Sequence, residues 1–179
     1  LIPQNFKVSA SLKKFIREFI HNPEYEIRVD DDFHETILSC ATQQRPNQQG
    51  TWITHAIIQA YTALHQEHLA HSVEVFYKKQ RIGGLYAVNI GRMIYGESMF
   101  SRQTNASKIA LAALCAFCHA QDIRMIDCQQ ETSHLKSLGA KPIHRNDFLD
   151  YIEHATSLEA PVWIFNKEIL HHWIDREQS

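Results

Sequence analysis

Apolar residues recur every three or four positions over residues 11–21, behind a serine, and predict an amphipathic helix. Residues 25–29 read as a short strand. Asp31 or Asp32 then caps a helix running to about Thr42, with Phe33, Ile37 and Leu38 on one face. Residues 43–50, QQRPNQQG, are a polar loop containing Pro and Gly. Ile57, Ala60, Tyr61, Leu64 and His65 keep the helical period within 51–70, predicted as the longest amphipathic helix. Strand signals at 72–77, 82–90 and 93–100 predict an antiparallel meander. Asn105 is read as the cap of an Ala- and Leu-rich helix to about Gln121, and residues 124–128 as a short strand. A brief helix over 132–138 ends at Gly139, which suits a left-handed C-cap. Ile143 is placed in a last core strand and 146–155 in a further helix; the tail from Pro161 carries Trp163, Phe165 and Trp173.

This order predicts an α+β fold, a mixed sheet flanked by helices. It is the order of a GNAT-like (acyl-CoA N-acyltransferase-like) domain, in which substrate enters where two central strands splay apart. The composition, 44% hydrophobic and 21% charged, excludes disorder and collagen-like repeats. The 179 residues are read as a single domain, 1–179, long enough to bury one core without disulfide or metal staples. No run of 18 apolar residues predicts a membrane-spanning helix, and residues 1–15 lack the zones of a signal peptide. The expected location is cytoplasmic, with Cys40, Cys115, Cys118 and Cys128 as free thiols. Cys115, Cys118 and His119 match the haem-attachment spacing C-x-x-C-H, but their Ala- and Leu-rich surroundings read as a buried helix. No second C-x-x-C and no H-E-x-x-H is present, so no metal site is expected.

Lys and Arg total 18 against 20 acids, a net charge of -2 that gives no bulk reason to bind nucleic acid. The charge is uneven. Lys78, Lys79, Arg81, Arg92, Arg102 and Lys108 share their segment with one acid, Glu97, leaving it at +5. That segment is either a solvated surface or a basic mouth beside an isolated carboxylate.

Glu97 sits next to Gly96 near a strand end. Asp127 lies in an apolar strand, where a carboxylate is costly unless paired. Period-two geometry puts Asp127 and Gln129 on one face, able to hold and orient an amine; a capped, satisfied Asp127 is the alternative. Trp52, at a predicted helix start, is either core or a platform for a nucleobase. Gly83 and Gly84 mark a bulge or a backbone approached by ligand. Residues 105–108 open a helix as a possible anion site. The segment 101–108 contains no glycine to wrap a pyrophosphate, so no CoA is expected.

Eight segments in order resemble the bacterial leucyl/phenylalanyl-tRNA–protein transferase family. They are Thr51-Trp52-Ile53-Thr54, Ala60-Tyr61-x-x-Leu64-His65, Ala70-His71-Ser72-Val73-Glu74, Gly83-Gly84-Leu85-Tyr86, residues 96–102 (GESMFSR), Asn105-Ala106-Ser107-Lys108, Ile126-Asp127-Cys128-Gln129, and residues 134–140 (HLKSLGA). The resemblance implies transfer of Leu or Phe, and less readily Met, from aminoacyl-tRNA to proteins beginning with Arg or Lys, which marks them for degradation. No cofactor is implied. Asp127 would orient Gln129, and Gln129 would contact the attacking α-amine and relay its proton. Glu97, in the same motif as Ser98, would hold the ammonium or the basic first residue. Trp52 would stack on the terminal adenosine. Leu85, Leu111 and Ile126 would line a pocket for an apolar side chain, and the basic residues of 78–108 would face the acceptor stem. His71 and His134 are expected to hydrogen-bond structurally. The family's N-terminal portion, with a second aromatic for the adenosine, is expected to be missing ahead of Leu1, and the tail after Ala155 does not align. Two other readings stay open: a non-catalytic binder of basic peptide N-termini, and a small-amine acetyltransferase of the same fold.

Overall fold

The computed structural model describes residues 1–43 and 50–175. Helix α1 (Ala10–His21) begins where the Ser9 hydroxyl accepts the Leu12 N–H. Strand β1 (Tyr25–Val29) leads into α2 (Phe33–Thr42), capped by Asp32, whose carboxylate accepts the Glu35 N–H at 2.9 Å. The predicted polar loop lies, over residues 44–49, outside the described residues. Next come α3 (His55–Gln66), β2 (Ala70–Tyr77), β3 (Gln80–Ile90), β4 (Met93–Ser101), α4 (Ala106–Ala120) and β5 (Ile126–Asp127). Helices α5 (Ser133–Ser137), α6 (Arg145–Thr156) and α7 (His172–Asp175) complete the order, with a 3-10 turn at Lys167–His171.

The sheet runs β1-β2-β3-β4-β5; the first four strands are antiparallel and β5 runs parallel to β4. This is the expected α+β mixed sheet flanked by helices. Side-chain alternation divides the core between the two faces. Val73, Val75, Leu85, Ala87 and Ile94 pack with α1, α4 and the tail tryptophans Trp163 and Trp173. Tyr86 and Phe100 pack with Phe33, Ile37 and Ile58 of α2 and α3. Helix α4 is apolar all round over residues 109–118, and each of those residues is buried. Cys115 and Cys118 are buried there as free thiols, and burial pushes both thiols up. No helix among the described residues is long and apolar enough to cross a membrane.

Three expectations fail locally. The helix predicted over 51–70 occupies only His55–Gln66, so α4, with 15 residues, is the longest among the described residues. Thr54 ends the extended entry by accepting the Ile57 N–H, and His68, at φ 57°, turns the chain out toward β2. Ile143 is in no strand and is 41% exposed. The free edge of β5, where such a strand would pair, is taken by Leu1, whose amine donates to the Ile126 carbonyl at 2.7 Å while its own carbonyl accepts the Ile126 N–H at 2.8 Å. Asn105 occupies the N-cap position of α4 at φ 68° without a side-chain cap bond. By contrast Gly139 ends α5 as expected, at φ 96°, where a Cβ would collide with the Asn5 carbonyl oxygen.

Candidate active site

Strands β4 and β5 pair only through Ile94 with Ile126 and Tyr95 with Asp127. Beyond that the chains part, and a cavity of about 720 Å³ opens between them. A β-bulge sits at the parting point: Tyr86 pairs with Ser98 and Ala87 with Gly96, so Glu97 is left without a cross-strand partner. Bulges re-aim the extra residue. Here the extra residue is a carboxylate on the cavity wall.

Glu97 is half-buried. Tyr61 of α3 donates its hydroxyl hydrogen to Glu97 Oε2 at 2.9 Å. Burial pushes the Glu97 carboxyl above its ordinary value and the negative charge of Asp127 adds to this, while the Tyr61 hydrogen bond pulls it back. The Tyr61 hydroxyl is in turn pushed up, by burial first and by Glu97 second.

Across the cavity, β5 ends in a tight turn. Gln129 has φ 53°, a left-handed conformation, and its N–H donates to Asp127 Oδ1 at 2.8 Å. The side chain of Asp127 thus closes an Asx-turn over the residue that must adopt the unfavourable backbone. The Gln129 amide is satisfied with its nitrogen donating to the carbonyls of Gly96 (3.0 Å) and Cys128 (3.2 Å). Its other end, then the oxygen, lies 3.5 Å from Glu97 Oε1. Two acceptors with spare capacity therefore face the same space.

The predicted site residues divide. Trp52, Leu85, Glu97, Ser98, Leu111, Ile126 and Gln129 all line the 720 Å³ cavity. Asp127 does not. The expectation that Asp127 and Gln129 share a strand face fails because β5 stops at Asp127 and the left-handed turn swings Gln129 away. Asp127 lines a neighbouring cavity of about 400 Å³ and touches the first through the Gln129 N–H. Trp52 precedes α3 instead of starting it, and is 42% exposed at the cavity. Leu85, Leu111 and Ile126 are 4%, 4% and 1% exposed and form an apolar wall that Met99 and Leu114 extend.

Gly83 is approached by the protein itself, since a Cβ there would lie 2.6 Å from that of Ala106 on α4. Most of the basic segment is spent on local partners: Lys78 faces Glu24 (3.7 Å), Arg81 Asp31 (3.6 Å), Arg102 Glu35 (3.5 Å), and Arg92 bonds the Gln121 carbonyl. Among the described residues no concentrated basic mouth results. At the start of α4, the Ser107 N–H bonds Ser101 Oγ and the Lys108 ammonium the Asn105 side chain, so the anion site has prior partners. His71 is buried as a hydrogen-bonding residue, with Asp30 at 2.7 Å and the His68 carbonyl at 3.2 Å. His134 departs from that expectation: it is exposed on the cavity rim, and only its backbone carbonyl is hydrogen-bonded among the described residues.

Sequence reasoning missed Tyr61, Met99 and Leu114 as site residues. Leu114 was within reach, one helical turn from Leu111. Met99 is the cross-strand partner of Leu85. Tyr61 looked like part of the apolar stripe of α3, and its bond to a residue 36 positions away leaves no local mark. Among the described residues no group of three His, Cys, Asp or Glu could hold a metal ion.

A family model described as "Leucyl/phenylalanyl-tRNA protein transferase" matches residues 1–153. A leucyl/phenylalanyl-tRNA–protein transferase of Ralstonia pickettii is 54% identical over 180 residues, covering 100% of this chain and 73% of the relative. That of Cupriavidus pinatubonensis is 53% identical over 174 residues, 97% of this chain and 70% of the relative. Among solved structures, an aminoglycoside N-acetyltransferase in complex with CoA aligns over 79% of this chain and 92% of its own at 16% identity, with a TM-score of 0.41.

Proposed function

The chain belongs to the leucyl/phenylalanyl-tRNA–protein transferase family and is an aminoacyltransferase, and on that premise we propose that it moves Leu or Phe, and less readily Met, from its tRNA to the α-amine of proteins beginning with Arg or Lys. The product would carry a new apolar N-terminus and be marked for degradation in the cytoplasm.

One observation carries this reading: Glu97 Oε1 and the Gln129 amide lie 3.5 Å apart at the open end of an apolar cavity. An acyl side chain fits against Leu85, Leu111 and Ile126, with its ester carbonyl toward the strand ends. The two acceptors then suit an ammonium or amine, which offers only donors. The reaction forms one C–N bond and breaks the ester C–O bond; the proton lost by the amine ends on the ribose oxygen that leaves. The ester is already activated, so holding the two groups together does most of the work. An α-amine has a pKa of about 7.7–8.0, so a useful fraction is neutral near pH 7.

In this reading Gln129 orients the amine through its oxygen, because its nitrogen is held by backbone carbonyls. Glu97 balances the ammonium charge and draws on its proton. Asp127 is a positioning residue, fixing the turn that presents Gln129. Trp52 stacks on the terminal adenosine, a contact worth ~1–3 kcal/mol. The buried wall rejects β-branched side chains by shape, at about 1–3 kcal/mol. The test is transfer of radiolabelled Leu from charged tRNA to an Arg-start peptide, with a Gly-start peptide as control. Label on the Arg peptide alone is expected; equal labelling of both would sink the acceptor assignment.

A further inference from the structure

The 400 Å³ cavity has no part in the chemistry above except through Asp127. It shares Ile126, Cys128, Gln129, Gln130 and Leu135 with the larger cavity, so the two open on either side of one stretch of chain. Its volume lies within the range of roughly 300–1,000 Å³ that takes a ligand of drug size. In the function proposed above, the acyl group and the adenosine take the Leu85 wall and the Trp52 side of the larger cavity. For an acceptor polypeptide whose amine sits at Gln129, the smaller cavity is the space on the other side of the same stretch of chain.

The smaller cavity is equipped for a peptide. Ile143, 41% exposed, contributes apolar surface to its lining. Residues 140–144 are irregular, and the N–H groups of Lys141 and Ile143 make no hydrogen bond among the described residues. Extended peptides use such unpaired backbone groups. Its charges are unequal. Lys136 faces Glu131 at 3.6 Å, whereas Lys141 and Arg145 are exposed with no ion pair among the described residues. Asp127 also lines this cavity, and its carboxylate accepts the backbone N–H of Gln129.

We propose that the acceptor residues following the first lie in this second cavity, and that Lys141 and Arg145 there favour acidic side chains at the third and fourth positions. The second position, next to Asp127, disfavours an acid by like-charge repulsion. The proposal rests on the acceptor reading given above and adds to it a preference for the sequence that follows the first residue.

The experiment measures transfer to Arg-Ala-Ala-Ala, Arg-Ala-Asp-Asp and Arg-Ala-Lys-Lys at low salt, with the full chain and its Lys141→Glu, Arg145→Glu double variant. The expected kcat/KM is about five-fold higher for the acidic than for the basic peptide, the size that two rim-exposed pairs supply. Salt should shrink the difference. The double variant should reverse the order, with the change in the peptide KM and none in the tRNA KM. Equal kcat/KM for the three peptides overturns this proposal alone, as does a double variant whose defect lies in the tRNA KM. Transfer to none of the three overturns the acceptor reading, and this proposal with it.

Discussion

Glu74 and Glu97 are both glutamates drawn into the protein from central strands, and their surroundings have opposite character. Glu74 on β2 is 0% exposed. Its Oε1 accepts from the hydroxyls of Thr36 and Ser72, its Oε2 accepts the Asp31 N–H at 3.4 Å, and the positive charge of Arg81 lies near. Among the described residues Glu97 on β4 has one donor, Tyr61, and its second oxygen looks across open cavity to Gln129. Burial pushes both carboxyls up. What separates them is unspent acceptor capacity, since a carboxylate offers about four acceptor positions. A buried acid whose partners all come from the chain holds the fold together. One that keeps an oxygen facing a cavity is available to a substrate.

Truncating each glutamate should produce opposite defects. Glu97→Ala should lower turnover about 10²–10³-fold, the usual share of a positioned acid–base group, with the urea midpoint near wild type. Glu74→Ala should do the reverse. It orphans two hydroxyls and a backbone N–H beside a nine-tenths buried Arg81, at a cost of about 3 kcal/mol, while turnover per folded molecule stays within two-fold of wild type. Chemical unfolding and active-site titration on the same samples separate the two. Glu74 also leaves a signature in pH. Its folded value is raised, so between the ordinary glutamate value and the folded value the native state holds a proton that the unfolded chain has released. Stability therefore falls as pH rises through that window and then levels. Glu74→Gln should flatten that slope; an unchanged slope would remove Glu74 as its source.

The next effect tests the far end of the larger cavity. Trp52→Ala should raise the tRNA concentration needed for half-maximal rate about ten-fold and leave kcat near wild type, because an exposed ring lost from a stack removes binding without touching the reacting atoms. Loss of kcat at saturating tRNA would instead place Trp52 with Glu97.

Much of this was legible along the chain. Helix α4 and the β2–β3–β4 meander show themselves through period and turn residues, and the motifs 96–102 and 126–129 flagged the two strand ends that frame the site. What stayed hidden is set by pairing between distant segments. The bulge that frees Glu97 exists only in the register of β3 against β4. Leu1 closes the edge where Ile143 was expected, across 125 positions of sequence. The turn that parts Gln129 from Asp127 depends on a two-residue β5, too short for alternation to hold beyond Asp127. Periodicity reports local faces, and each of these features is a meeting of remote ones.

Tyr61, the one donor to Glu97 among the described residues, should have the mildest effect. Tyr61→Phe removes a hydroxyl and keeps the ring, which packs edge-on against Tyr86 at 5.3 Å, so the fold should hold. Near neutral pH about three-fold of kcat should be lost, the net value of one hydrogen bond. The pH profile is the more telling readout. Tyr61 stabilises the ionised carboxylate, and without it burial and Asp127 alone act on Glu97, so its value rises further. If the ionised form holds the amine, activity falls as pH drops through that value, and the acidic limb of the Tyr61→Phe profile moves to higher pH. The acceptor amine contributes its own limb equally in both enzymes, so the difference between the profiles belongs to Glu97. A limb that stays in place would mean that Glu97 is not ionised when it acts, and the likeness to the fully satisfied Glu74 would then be closer than its open oxygen implies.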